Sequence, residues 1–394
     1  MNILYVCHRF PYPPDRGGKI RPFNIIKHFT EQGHQVTVAS LVRSDDEARQ
    51  GEGIRQHCAQ YLMAQVGARA ALARMVAYLP SRTPSSMGYF YSPQLQQRIN
   101  AVLQASRFDL IFGHSSSVAQ YVEDVRDIPK VLDFGDMDSQ KWLMYAQVRA
   151  FPLSAGYRIE GVKLQRAEGV LARKFDYCTC STLAEAETFD SFNTGVRCGW
   201  FPNGVDADYF RPVEASYDPD TLSFIGRMDY YPNEHAIVDF CDRTLPLLRA
   251  RRPTIKLLIV GANPSRRIRR LGASHGVTVT GSVPDVRPYV QRSAANVAPL
   301  VIARGTQNKI LESMAMGVPV IASQRASGGV DAVPGEHFLV ASTPDGYADA
   351  ILRVLENPAE RDRLARAGRG RMLSHHTWRG AMQRLSAQLT ESVL

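Results

Sequence analysis

The chain has 394 residues, 44% of them hydrophobic and 22% charged, with a formal net charge of +9. That length favours two hydrophobic cores over one, and the composition excludes a disordered chain. It has no run of about 18 apolar residues for a membrane span, nor the basic stretch and long apolar segment of a secretory leader, so the expected location is the cytoplasm.

In chain order, residues 3–7 form a short apolar run followed by a Pro- and Gly-rich loop over 8–18. A helix is expected over 21–32, with Phe23, Ile26 and Phe29 at helical spacing, ended by Gly33. Strands follow over 35–40, 110–113 and 130–134, each leading into a helix. Then come a long helix over 155–173 and a strand over 177–181. The alternation restarts with strands over 222–225, 256–260, 277–280, 297–300 and 318–322, and with helices over 233–251 and 308–316. Strand–helix alternation of this kind specifies parallel sheets covered by helices, an α/β protein built from two units. The segment boundaries are read as 1–195, 196–374 and a last helical piece, 375–394, expected to pack back on the first unit.

The positive charge raises three partners: nucleic acid, an anionic membrane surface and phosphorylated small molecules. There is no zinc finger, basic arm or aromatic-basic RNA signature, so no nucleic-acid partner is expected. Arg249-Ala-Arg-Arg252 and Ser265-Arg-Arg-Ile-Arg-Arg270 read as solvated helix faces. Cys178-Thr-Cys180 lacks a second ligand pair, so no metal site is expected. Around residues 75–91, aromatic and apolar residues beside arginines suit contact with a membrane or a lipid-linked substrate, or core packing beneath a loop.

In open α/β sheets, ligands sit beyond the carboxyl ends of the strands, so chemistry is sought there. Gly17-Gly18 follows the first strand and can let an anion approach the backbone. It is not the Gly-x-Gly-x-x-Gly fingerprint, so a nicotinamide cofactor is not indicated. Gly226-Arg227 ends another strand, where a guanidinium can grip a diphosphate. Arg304-Gly-Thr-Gln-Asn-Lys-Ile-Leu-Glu312 opens a helix. Gly305 and Thr306 offer backbone N–H groups to phosphate, and Lys309 and Glu312 share a helical face. A carboxylate there can accept hydrogen bonds from ribose hydroxyls.

The ordered set Gly17-Gly18, Gly33-His-Gln-Val-Thr-Val38, Pro202-Asn-Gly-Val-Asp206, Gly226-Arg227, Gly261, Gly281-Ser-Val283 and the Glu312 segment resembles the retaining GT-B glycosyltransferases of family 4. Leu132-Asp-Phe-Gly-Asp-Met-Asp-Ser-Gln-Lys-Trp142 and Met228-Asp-Tyr-Tyr-Pro-Asn233 resemble the branch associated with exosortase/PEP-CTERM exopolysaccharide clusters. The resemblance implies two Rossmann-like doubly wound domains facing across a cleft, an acceptor domain followed by a donor domain. It implies a nucleotide-sugar donor (UDP- or GDP-sugar) and a saccharide or lipid-linked acceptor at the inner membrane face. No cofactor or metal is required on this reading.

By the same resemblance, His114, Arg227 and Lys309 are catalytic. Gly226, Val283, Gly305, Thr306, Gln307, Asn308 and Glu312 bind the donor, and Gly17 and Gly18 form the acceptor or phosphate loop. Two positions depart from the family pattern. Arg304 stands where a glutamate is usual, which opens the donor sugar's identity, and Pro232 stands where a lysine is usual, a charge that Lys309 can replace. Asp136-Met-Asp138 reads as local capping or acceptor binding. The rival readings are a non-catalytic nucleotide- or saccharide-binding partner subunit and a sugar-nucleotide epimerase.

Overall fold

A computed structural model describes every residue except Arg16, Ala215 and Leu394. It divides into two compact units, Met1–Phe201 with Met382–Leu394, and Pro202–Ala381.

The first unit is built on seven parallel strands: β1 Asn2–Cys7, β2 Gln35–Val42, β3 Gln60–Gln65, β4 Leu110–His114, β5 Lys130–Gly135, β6 Tyr177–Cys180 and β7 Cys198–Trp200. Their order is β3-β2-β1-β4-β5-β6-β7. Ile3 to Cys7 are all buried, because helices cover both faces of a parallel sheet and leave no room for alternation. Leu4, Val6, Ile111 and Leu132 on the sheet pack with Leu95, Ile99, Val118 and Phe189 from helices. The order reverses between β1 and β4, which places a topological switch point there. From Met382 onward the last helix, Trp378–Ser392, belongs to this unit. Arg384 lies 3.6 Å above the Trp200 ring and Gln388 donates to the Trp200 carbonyl.

The second unit has six parallel strands: β8 Asp218–Ile225, β9 Lys256–Val260, β10 Val277–Gly281, β11 Ser293–Ala298, β12 Val320–Ser323 and β13 Leu339–Ala341. The order β10-β9-β8-β11-β12-β13 puts its switch point between β8 and β11. Leu222, Phe224, Ile259 and Val297 pack with Ile237, Leu248, Ile351 and Leu352. The Pro202-Asn-Gly204 turn is held within this unit. A side chain on Gly204 would run into the Trp378 backbone. The buried His376 accepts from the Asp331 N–H through Nε2, while its Nδ1 faces the Asn203 carbonyl at 3.2 Å.

The structure corrects several readings. The first helix starts at Gly17, so Gly17 and Gly18 are its first two residues and not the end of a loop. The helix expected over 233–251 is Tyr231–Asp239, a π-turn Phe240–Thr244 and Leu245–Arg251. Pro246 causes the break, because it cannot donate to the carbonyl one turn back and its ring crowds it. β11 covers Ser293–Ala298, several residues earlier than the expected 297–300. β3, β7 and β13 were not anticipated. The first is a half-buried edge strand with polar ends, and the other two have three residues each. Among the described residues, no helix is long and apolar enough to cross a membrane.

Candidate functional site

The carboxyl ends of β8 and β9 meet through two glycines. Gly226 has φ +154° and Gly261 φ +150°, values that residues with a side chain rarely adopt. A methyl group on Gly261 would run into the Gly226 carbonyl oxygen. One on Gly226 would lie 2.7 Å from Asn233 Nδ2 and 3.1 Å from Lys309 Nζ. The bare backbone therefore lets an ammonium and an amide close over the end of the strand.

Asn233, in the first turn of Tyr231–Asp239, organises that corner. Its Nδ2 donates to the Arg227 carbonyl at 2.8 Å and its Oδ1 accepts from Lys309 Nζ at 2.7 Å. Only one amide orientation satisfies both bonds, since Lys309 has no acceptor and the carbonyl no donor. Lys309 Nζ also lies 4.4 Å above the Phe224 ring, a cation–π contact.

Lys309 and Glu312 belong to the Asn308–Ala315 helix. Burial pushes Lys309 from 10.5 down to about 7 and Glu312 from 4.5 up to about 7, with each charge partly restoring the other. The helix begins at Gln307, whose side chain makes no capping bond to the first turn and donates instead to the Arg304 carbonyl at 3.0 Å. The Thr306 hydroxyl is buried without a hydrogen-bond partner. Uncapped N–H groups, an orphan hydroxyl and a cation three residues along together suit an anion. Val283, after β10, packs in the cluster that contains Ile225 and Val260, the last residues of β8 and β9.

The side chain of Arg227 is bound to Asp229, with Nε to Oδ1 at 3.1 Å. Those hydrogen bonds and the arginine's charge hold Asp229 below its ordinary range. Arg227 can reach a phosphate by exchanging one carboxylate for another anion.

The first unit has its own polar cluster at the β1/β4 switch point. Asp133 of β5 is fully buried. Its Oδ2 accepts from Arg21 Nε at 2.9 Å and from His114 Nδ1 at 2.8 Å. Its Oδ1 accepts from Arg21 Nη2 at 2.9 Å and from the Thr179 hydroxyl at 3.0 Å. Burial raises the carboxyl, but the Arg21 charge and the hydrogen bonds from His114 and Arg21 outweigh it and keep Asp133 ionised. An ionised carboxylate only accepts, so His114 carries its hydrogen on Nδ1 and a neutral ring has Nε2 available as an acceptor. His8, after β1, lies 5.8 Å from the His114 ring. Burial and the nearby His114, Arg9 and Arg43 push it well down, so it is neutral.

Among the residues singled out in the sequence, the structure gathers Gly226, Val283 and Lys309 near the β8 and β9 ends, with Gly305, Thr306, Gln307, Asn308 and Glu312 on or beside the helix that carries Lys309. His114, Gly17 and Gly18 belong to the first unit, where Asp133 joins His114 to Arg21, four residues after Gly17. Sequence reasoning missed Asn233, Asp133, Arg21, His8 and Asp229. The available signals were a charged residue inside the apolar run of β5 and an asparagine in the first turn after the Gly-Arg strand end. No group of three or more His, Cys, Asp or Glu among the described residues could hold a metal ion.

The two doubly wound parallel sheets are those of the GT-B fold. Sucrose-phosphate synthase from Thermosynechococcus elongatus superposes with a TM-score of 0.74 at 16% identity over 99% of both chains. Anabaena Alr3699/HepE, solved in complex with UDP, gives 0.70 at 15% identity over 99% of this chain and 100% of that one. Residues 219–357 match the family described as Glycosyl transferases group 1, so the second unit carries a glycosyltransferase domain of that group. Mycobacterium tuberculosis glycogen synthase is 27% identical over 236 residues, 55% of this chain and 54% of that protein. The Mycolicibacterium smegmatis "GDP-mannose-dependent alpha-(1-6)-phosphatidylinositol monomannoside mannosyltransferase" is 27% identical over 227 residues, 51% of this chain and 58% of that protein. The chain spans about half the length of the curated relatives it matches.

Proposed function

We propose that the chain is a retaining glycosyltransferase that moves a sugar from a UDP- or GDP-sugar to a saccharide or lipid-linked acceptor in exopolysaccharide or cell-surface glycan synthesis, working at the inner membrane face. The observation that carries the reading is the Gly226–Asn233–Lys309 corner beside an uncapped helix N-terminus, within the segment that matches the group 1 family. HepE, with its UDP, and the GDP-mannose-dependent relative support both candidate nucleotides.

In this reading the second unit binds the donor. Glu312 accepts hydrogen bonds from the ribose, and Val283 lines the base. The diphosphate takes Arg227 from Asp229 and keeps Lys309 protonated. The acceptor hydroxyl attacks the anomeric carbon, the bond to the diphosphate oxygen breaks, and the departing diphosphate takes the proton. Lys309, Arg227 and the N–H groups of residues 305–308 stabilise the charge that grows on that leaving group. They supply the positive charge that a metal would otherwise bring, so neither a metal nor an organic cofactor enters the reading. Retention without a glycosidase-like carboxylate pair follows from the family resemblance. The first unit, with His114 and the helix start at Gly17-Gly18, receives the acceptor.

The test is thermal melting with UDP, GDP and their sugars, with Glu312→Ala as control. A ligand at about 100 times its Kd adds roughly 2.7 kcal/mol. A rise with one nucleotide that the variant loses supports the donor site. No rise with any of them at millimolar concentration overturns it.

A further inference from the structure

Half of the exposed large hydrophobic side chains among the described residues lie on two segments of the first unit. One is the Ala68–Ala77 helix and the turn after it, with Leu72, Val76 and Leu79. The other is the start and outer face of the Leu153–Ala172 helix, where Phe151 is 83% and Ile159 58% exposed and Val162 and Val170 are also exposed.

The two segments adjoin. Lys163 donates to the carbonyls of Tyr78 and Leu79 at 3.1 and 2.7 Å. Glu160 accepts from the Ser85 and Ser86 N–H groups at 3.0 and 2.8 Å. At 100° per residue, Ile159, Val162, Arg166, Val170 and Arg173 fall on one strip of the helix, beside the edge that Lys163 and Glu160 fasten to the turn. The support is firm, since the ring of Tyr157 packs 5.4 Å from both Trp142 and Tyr145 of the Asp138–Val148 helix.

Charge on these segments is one-sided. Residues 66–108 contain no Asp or Glu, and the Leu153–Ala172 helix contains only two acids. Glu160 is bound to the serine turn, and the buried Glu168 accepts from the Ser139 N–H at 3.1 Å. Arg69, Arg82, Arg158 and Arg166 make no ion pair with a described residue. Aliphatic side chains set among unpaired arginines, with the acids turned inward, complement a surface that is apolar below and anionic above.

We propose that this face of the first unit docks on an anionic lipid surface, the apolar side chains entering the acyl boundary and the arginines meeting lipid phosphates. The arrangement differs from the Arg266–Leu271 helix of the second unit, where four arginines flank a buried Ile268 and expose no aliphatic strip. The proposal rests on the reading that the chain works at the inner membrane face and adds the surface that docks there, while docking itself needs no donor.

The test is co-sedimentation of the full chain with vesicles of phosphatidylglycerol in phosphatidylcholine, against phosphatidylcholine alone. Binding to the anionic vesicles that falls at least about ten-fold in Ile159→Glu/Val162→Glu, and is kept in the charge-matched Arg266→Gln/Arg270→Gln, supports the face. Leu72→Glu/Val76→Glu on the other segment must act in the same direction, and unchanged melting shows that both variants fold. Three results overturn the proposal: no binding to anionic vesicles, equal binding by the glutamate variants, or an Ile159-dependent self-association in light scattering that makes this a face between two copies. A nucleotide-induced melting rise in the same Ile159→Glu/Val162→Glu protein keeps the fate of the donor reading separate.

Discussion

Both units place a cation and a carboxylate near the switch point of a parallel sheet, fully buried in the first and half-buried in the second, and they treat the charges in opposite ways. In the first unit, Arg21 and Asp133 form a bidentate pair, and the remaining acceptor capacity of Asp133 is taken by His114 and Thr179. The carboxyl is held ionised, and no outside partner is needed. In the second unit, Lys309 gives its hydrogen bond to a neutral amide, and Lys309 and Glu312 are both drawn toward neutrality. A satisfied pair fixes a fold. A cation bonded only to a neutral amide, beside open N–H groups, holds its interaction energy until an anion arrives.

The largest expected effect lies at Asp133. Removing it in Asp133→Ala leaves Arg21 buried without its counter-charge, and about 3–5 kcal/mol of stability should go. Urea unfolding measures this, and a loss below about 1 kcal/mol would show that the network contributes little. Gly261→Ala should come next, at about 3 kcal/mol, because an unfavourable φ and a clash with the Gly226 carbonyl act together. The same strain displaces the β8 end, so nucleotide-induced melting shifts should shrink even where the protein remains folded.

A subtler break separates the two nitrogens of His114. An asparagine amide can replace Nδ1, and a glutamine amide can replace Nε2. His114→Asn should retain the bond to Asp133 and stay within about 1 kcal/mol of the parent, while His114→Gln loses about 2 kcal/mol. If Nε2 touches substrate, turnover ranks the other way, with the glutamine variant the more active. Matching ranks in stability and turnover would make His114 a structural residue alone.

The sequence made these sites legible to different depths. The buried strands β1, β4, β5, β8 and β9 announce themselves as apolar runs, and the rule that ligands lie beyond strand ends led directly to Gly226, Arg227 and the Lys309 helix. What could not be read were the partners. Asn233 is 76 positions from Lys309 and Arg21 is 112 from Asp133, so neither pairing leaves a local pattern. The edge strands β3 and β7 were missed because one is half-buried with polar ends and the other has three residues, too few for a period to emerge. A spacing of three does establish that Lys309 and Glu312 share a helical face. That Lys309 turns to Asn233 is set by the neighbouring helix, which no spacing reports.

The smallest expected effect concerns the second unit alone. Because the folded protein raises Glu312 from 4.5 to about 7, it binds that proton more tightly than the unfolded chain, and the associated stability fades as pH rises through 7. Lys309 is lowered from 10.5 to about 7, so its contribution is complete only above 10.5 and is lost as pH falls through 7. The two effects meet near neutrality and should leave a minimum in stability there. Replacing both groups, in Lys309→Met/Glu312→Gln, should remove the minimum and gain about 1 kcal/mol near pH 7, with less gain near pH 5 or 10. Nucleotide binding should vanish in the same protein, by calorimetry or melting. A gain in stability joined to a loss of binding would show that these charges are kept for a ligand, whereas a loss of both would make the second pair a structural one, like the first.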